Sequence, residues 1–191
     1  MTPTQRLGPG HLEALLALEE RGGAGLSSPD ELEGALGGGD RVVLGIFAGG
    51  NGAGERAPGD GVLAADGRCP GAKAAPLRGD VLLGDVVPGD VLLGYALVAL
   101  ASFDAELEAI LVAPQARGTG VAKALLRAVI ESARDAGAER LLLEVRASNV
   151  AAIGLYQAAG LALDGVRRGY YPAAEPGQPR EDACLMSLGL R

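Results

Sequence analysis

The sequence predicts an α/β fold, and three observations carry that expectation. A strand candidate at Ala109 to Val112 runs into a glycine loop and then a helix, on which Leu125, Leu126, Val129, Ile130 and Ala133 recur at the spacing of one face. A second apolar run, Leu141 to Val145, follows that helix and leads to a second, shorter helix. Along the remaining chain strand-prone and helix-prone segments interleave, an order that allows a mixed sheet covered by helices. With 191 residues, 48% of them hydrophobic, the chain is long enough for one well-packed domain and short for two, so a single domain over residues 1–191 is expected.

Taken in order, Gln5 to Leu7 reads as a first edge strand, and Leu12, Leu15, Leu16 and Glu19 mark a helix between Pro9 and Glu20. His11, the single histidine, has no other metal-ligand type clustered near it and is expected at the surface. Ser27-Ser28-Pro29-Asp30-Glu31 is a helix start, with a serine cap and acids in the first turn, and Gly37-Gly38-Gly39 is its stop. Arg41 to Phe47 reads as a strand. From about Gly49 to Gly79 the composition shifts to Gly, Ala, Pro and Asp, as in a loop or a locally disordered insertion, and the insertion as a whole is placed at about 48–89. A small duplication follows, in which Gly79-Asp80-Val81-Leu82-Leu83-Gly84 recurs as Gly89-Asp90-Val91-Leu92-Leu93-Gly94, which suggests a hairpin whose second arm continues to Ala101. Phe103-Asp104 is a turn, and Glu106 to Val112 the strand feeding the glycine loop. Gly137 ends the long helix. Leu141 to Val145 is a buried strand, Asn149 caps a helix running to Ala159, and closing strands fall near Leu163 to Arg168 and Ala183 to Leu188.

A net charge of −7 disfavours nonspecific binding to nucleic acid or an anionic membrane. The two cysteines, Cys69 and Cys184, have neither metal-site nor redox-pair spacing, so a reduced, cytoplasmic protein without a metal is expected. No apolar run is long enough to span a bilayer, and no signal peptide is apparent.

The glycine loop is the chemical signal. A loop opening a helix leaves backbone N–H groups unpaired beside the positive end of the helix dipole, which suits an anion such as a pyrophosphate. The dinucleotide fingerprint fails, because Lys123 stands where its third glycine belongs, and the P-loop fails for want of Gly-Lys-Ser/Thr. Arg117-Gly118-Thr119-Gly120-Val121-Ala122 instead resembles the Q/R-x-x-G-x-G/A signature of the GNAT N-acetyltransferases. Glu144-Val145-Arg146-Ala147-Ser148-Asn149, Arg167-Arg168-Gly169-Tyr170-Tyr171-Pro172 and Arg180-Glu181-Asp182-Ala183 resemble the RimI branch of that family. The likeness runs from about Ile110 to Pro172 and resumes near Arg180; it is absent from about Ala48 to Gly89, and Ala173 to Arg180 departs from the family pattern.

The resemblance implies the GNAT acyltransferase fold, a mixed, mostly antiparallel sheet flanked by helices. It implies transfer of acetyl from acetyl-CoA to the N-terminal α-amino group of a protein or peptide, with a ribosomal protein as the partner in the RimI branch. It places the coenzyme on Arg117, Gly118, Thr119, Gly120, Val121, Ala122 and Lys123, with Asn149 and Tyr156, and assigns backbone donors for the oxyanion around Ile110, Leu111 and Val112. Tyr170 and Tyr171, read as loop residues, offer amphipathic surface to the acceptor. An acetyltransferase for a small amine or a lysine side chain, and a coenzyme A sensor without turnover, remain alternatives.

An α-amino group, with a pKa of about 8, is largely protonated at neutral pH, so a base must take its proton, and the departing thiolate needs an acid. By the family pattern these are Glu144 and Tyr156. A carboxylate in the run Leu141 to Val145 is costly unless paired or functional, and pairing with Arg146 or another cation is the competing account. Tyr156 could instead pack with Ile153, Asn149 could be a cap alone, and Arg117 and Lys123 could be solvated cations.

Overall fold

The computed structural model describes residues 3–22, 27–48, 91–173 and 177–191. The insertion expected at about 48–89, apart from Ala48, therefore lies outside the described residues, as do the first arm of the 79–94 duplication and Cys69. Strands β1 (Gln5–Arg6), β2 (Arg41–Phe47), β3 (Leu92–Leu100), β4 (Asp104–Val112), β5 (Arg140–Arg146), β6 (Ala162–Tyr171) and β7 (Glu181–Gly189) form one sheet in the order β1-β2-β3-β4-β5-β7-β6. β4 and β5 pair in parallel, and every other neighbouring pair is antiparallel. The mixed, mostly antiparallel α/β sheet expected from the sequence is the observed one.

Helices α1 (Leu12–Gly22), α2 (Pro29–Leu36), α3 (Val121–Asp135) and α4 (Val150–Ala158) pack around this sheet. α2 starts as its residues dictate: the Ser28 hydroxyl accepts from the Glu31 N–H while the Glu31 carboxylate accepts from the Ser28 N–H. α3 buries the five residues of its predicted face together with Val121. Each fully buried leucine among them, such as Leu125, contributes about 1.5–3 kcal/mol. Gly94 of β3 lets that helix approach, since a Cβ there would lie 2.9 Å from the Leu111 carbonyl oxygen and from Val121 Cγ1.

Several expectations are corrected. In α1 Leu15, Leu18 and Glu19 are buried, while Leu12 and Leu16 of the expected stripe are partly buried and pack against the same core. Glu19 tolerates burial because its carboxylate accepts a hydrogen bond from the Tyr95 hydroxyl of β3. His11 is half-buried rather than a surface residue; its ring lies 5.8 Å from that of Phe47 and its Nδ1 3.2 Å from the Gly8 nitrogen. β4 begins at Asp104, inside the predicted turn, where Arg140 of β5 holds the Asp104 carboxylate through Nε and Nη2, each at 3.0 Å. β5 is fully buried on one face alone, that of Leu141, Leu143 and Val145, while Leu142, Glu144 and Arg146 are half-buried. Tyr170 and Tyr171 close strand β6 rather than standing in a loop.

Candidate active site

The site begins where β4 meets α3. A short 3₁₀ turn at Pro114–Ala116 leads into Gly118 and Gly120, whose φ angles of 76° and 91° are the left-handed values glycine adopts without strain. The first helical bond runs from the Ala124 N–H to the Gly120 carbonyl at 3.0 Å, and no side chain caps the helix. Among the described residues the N–H groups of Val121, Ala122 and Lys123 therefore have no partner. A Cβ at Gly118 or Gly120 would meet no described atom within 4 Å, so the space beside these two glycines is open. An anionic diphosphate fits such a cradle.

The second part of the site is a split in the sheet. β4 and β5 pair from Asp104↔Arg140 to Leu107↔Leu143, and their ladder ends there. The cause is on β4: Leu97 of β3 faces Ala109 and Val98 faces Leu107, which leaves Glu108 as the extra residue of a bulge. Arg41 pins the bulge from β2, with Nε and Nη2 each 2.8 Å from the Glu108 carboxylate. Past the bulge, the Ala113 N–H donates to the Leu93 carbonyl at 2.8 Å. Antiparallel alternation then turns the N–H groups of Leu111 and Ala109 into the β3 ladder and those of Ile110 and Val112 out into the split. Leu111 is thus corrected as a backbone donor, since its amide is already used within the sheet. Arg117 Nε, 3.4 Å from the Val112 carbonyl, lies on that open edge.

Glu144 and Tyr156 come to the split from β5 and α4. The Glu144 carboxylate is one-fifth exposed and forms a 2.9 Å ion pair with Arg167 of β6, not with Arg146. Arg146 instead reaches Glu181 of β7 at 2.9 Å and lies 4.5 Å from the centroid of the Tyr171 ring. Glu181 also accepts from the Ser148 N–H at 2.9 Å, and the hydrogen bonds from Ser148, followed by Arg146, hold its carboxyl down at about 2. Tyr156 is buried to 4% exposure. Burial first, and Tyr171 second, push its phenol up to about 12, so it carries its proton throughout the neutral range. Its hydroxyl makes no hydrogen bond to a described residue. It is not sealed off, however, because among the described residues no buried side-chain oxygen or nitrogen lacks a partner. Burial and then the Glu144 charge raise Tyr171 as well. Asn149 does cap α4, its Oδ1 accepting from the Ala152 N–H at 3.2 Å.

One cleft of about 790 Å³ joins these parts. Glu144, Tyr156, Tyr171 and Asn149 line it, as do Ile110, Leu111, Val112, Arg117, Gly118, Gly120, Val121, Ala122 and Lys123. Thr119 and Tyr170 are the two sequence-predicted residues that do not. The Thr119 hydroxyl turns inward and donates to the Ala116 carbonyl at 2.6 Å, bracing the loop. Tyr170 stacks edge-on against Tyr171, with ring centroids 5.1 Å apart, and carries Arg167 over its face at 4.6 Å. Sequence reasoning missed Arg167 and Glu181, although both stand in the strings that carried the resemblance. Strand alternation would have flagged them had the strand order been known. No cluster of three or more His, Cys, Asp or Glu side chains suited to a metal occurs among the described residues, and none of their helices is long and apolar enough to cross a membrane.

A glycine loop thus opens α3 beside two parallel strands parted at a bulge, in an α/β protein. Residues 73–161 match the model of the acetyltransferase (GNAT) family. The chain is 38% identical over 96 residues to ribosomal protein bS18-alanine N-acetyltransferase of Escherichia coli (strain K12), a match covering 50% of this chain and 63% of that protein. The protein of the same name from Haemophilus ducreyi is 39% identical over 87 residues, covering 46% and 59%. The matched stretch thus spans about three-fifths of the length of these curated relatives. Among solved structures, the ribosomal-protein-S18-alanine N-acetyltransferase from Escherichia coli superposes with a TM-score of 0.71 at 25% identity, covering 100% of this chain and 94% of that one. An acetyltransferase from Bacillus cereus, at 16% identity and a TM-score of 0.62, shares the fold.

Proposed function

We propose that this protein transfers the acetyl group of acetyl-CoA to an amine, and that its acceptor is the N-terminal α-amino group of a protein of the ribosomal type. The observation that carries the reading is the convergence of four features on one cleft: unpaired N–H groups at the start of α3, the open backbone edge of β4, a carboxylate on β5 and a neutral phenol on α4. Bound acetyl-CoA would supply an activated thioester carbonyl.

The chain's own residues account for the rest. The N–H groups of Val121, Ala122 and Lys123, aided by the positive end of α3, hold the diphosphate, with Arg117 and Lys123 adding charge at the loop. The Ile110 and Val112 N–H groups face the split, where an N–H can stabilise negative charge developing on the carbonyl oxygen. Glu144 takes the proton of the acceptor ammonium, and Tyr156, protonated up to about pH 12, delivers one to the departing thiolate. Tyr171, lining the same cleft between Arg146 and the Glu144 charge, contacts the acceptor. Acceptor identity is supported by the curated relatives, whose name specifies the alanine of a ribosomal protein.

Acetyl transfer measured against N-terminal peptides, lysine peptides and small amines tests this directly. Faster turnover of an alanine-initiated peptide than of its N-terminally blocked form is expected. A preference for lysine side chains or free polyamines would overturn the acceptor assignment.

A further inference from the structure

Two stacks of aromatic ring, guanidinium and carboxylate cross the end of the sheet where β5, β7 and β6 lie side by side. In one, the Tyr171 ring carries Arg146, which pairs with Glu181. Both oxygens of that carboxylate are occupied, Oε2 by Arg146 and Oε1 by the Ser148 N–H. This stack fastens the start of β7 to the β5–α4 junction. In the other, the Tyr170 ring carries Arg167 at 4.6 Å, and Arg167 Nη1 lies 2.9 Å from Glu144 Oε1. Here a single oxygen of the carboxylate is paired among the described residues, and Glu144 lines the cleft. Register explains the pairing. Glu144 lies opposite Leu185, which lies opposite Gly165, while Arg146, Ala183 and Arg167 share the next rung on the same face.

We propose that Arg167 is a positioning residue for Glu144, its guanidinium held over the Tyr170 ring so that it ties down Oε1 and presents Oε2 to the acceptor ammonium. The role rests on the acetyl-transfer reading above. A glutamate side chain has three rotatable bonds, and a base is effective when it is within hydrogen-bond reach of the proton it takes. A guanidinium suits the clamp because it stays charged, is planar and stacks on aromatic faces. During the reaction the proton passes from the acceptor nitrogen to Oε2, and no covalent bond to Arg167 forms or breaks. Arg167 is half exposed, so its ion pair adds little to stability, and its loss should register in turnover rather than in melting.

The experiment is a double-mutant cycle on steady-state kinetics with acetyl-CoA and an acceptor peptide. In the wild-type background R167M should lower kcat about tenfold with KM for the peptide within about twofold, and R167K should recover part of the loss. In the E144Q background R167M should change kcat by less than about twofold, because the group it positions is gone. Affinity for a coenzyme A–peptide conjugate, whose amide nitrogen carries no ammonium proton for Glu144 to take, should be unchanged by R167M. Equal losses in both backgrounds, or a tenfold loss of conjugate affinity, would mean that Arg167 contacts the acceptor itself and would overturn the proposal. Unchanged kcat in R167M would overturn it as well. A wild-type protein that acetylates no amine on the panel would instead sink the activity reading, a result separable from any of these.

Discussion

Replacing Tyr156 by Phe separates a packing role from a chemical one, because the ring and the hydroxyl have different surroundings. The ring is buried to 4% exposure, whereas the hydroxyl bonds no described residue and faces the cleft. Deleting that hydroxyl leaves no protein donor or acceptor orphaned, so folding stability should change by no more than about 0.5 kcal/mol. Truncation to Ala, which empties the ring's site, should cost about 3–5 kcal/mol. Turnover should behave oppositely. A general acid contributes about a hundredfold to ten-thousandfold, or about 2.7 to 5.4 kcal/mol of barrier, so Y156F should lose kcat by that factor while melting like the wild type. The assay is release of the free thiol of coenzyme A, with coenzyme binding measured separately by calorimetry so that a lost contact is not mistaken for lost chemistry. Raising the pH should not rescue the variant, whereas a donor with a more acidic leaving thiol should narrow its deficit. Because the phenol holds its proton to about 12, no alkaline decline from Tyr156 is expected in the wild type below about pH 10. If Y156F kept kcat within a factor of two, or lost activity and melting temperature together, Tyr156 would be a packing residue.

Four further outcomes follow from the same geometry. E144Q should lower kcat most at low pH and recover in part as the pH passes the acceptor's pKa of about 8, since free amine then needs no base; a deficit constant from pH 6 to 9 would contradict the role. Gly120→Val, forced to a φ of 91° that costs a side-chain-bearing residue roughly 1–2 kcal/mol and filling the open space beside the loop, should weaken coenzyme A binding at least about tenfold by calorimetry, while Cys184→Ala and chelators leave turnover intact. Replacing residues 49–90 by a short turn should preserve the fold and coenzyme affinity, because the stems already meet where the Ala48 N–H donates to the Val91 carbonyl at 2.9 Å; a collapse of the melting temperature would show otherwise. Glu181, depressed to about 2, stabilises the fold fully above the ordinary carboxylate range of about 4.5 and loses that contribution as pH falls through about 2, so E181Q should melt below the wild type at pH 7 and converge with it in strong acid.

The sequence by itself determined the pieces whose geometry is local. The glycine pair at 118 and 120, the buried stripe of α3, the Ser28–Glu31 capping box and the Asn149 cap all arise within one or two turns of chain, where periodicity and cap chemistry act, and the structure matches each. The strings around Glu144 and Tyr170 pointed to the family for the same reason. Tertiary structure alone decided how those pieces meet. β7 enters between β5 and β6, and that placement sets Arg167 of β6 beside Glu144 of β5 and turns Tyr170 away from the cleft. The bulge at Glu108, held by Arg41 sixty-seven residues away, parts β4 from β5 and exposes the Ile110 and Val112 amides while committing that of Leu111 to the ladder. Alternation along a strand is legible in a sequence. Which strand becomes its neighbour, and where the register slips, depends on the energy of packing the whole sheet, which no single segment encodes.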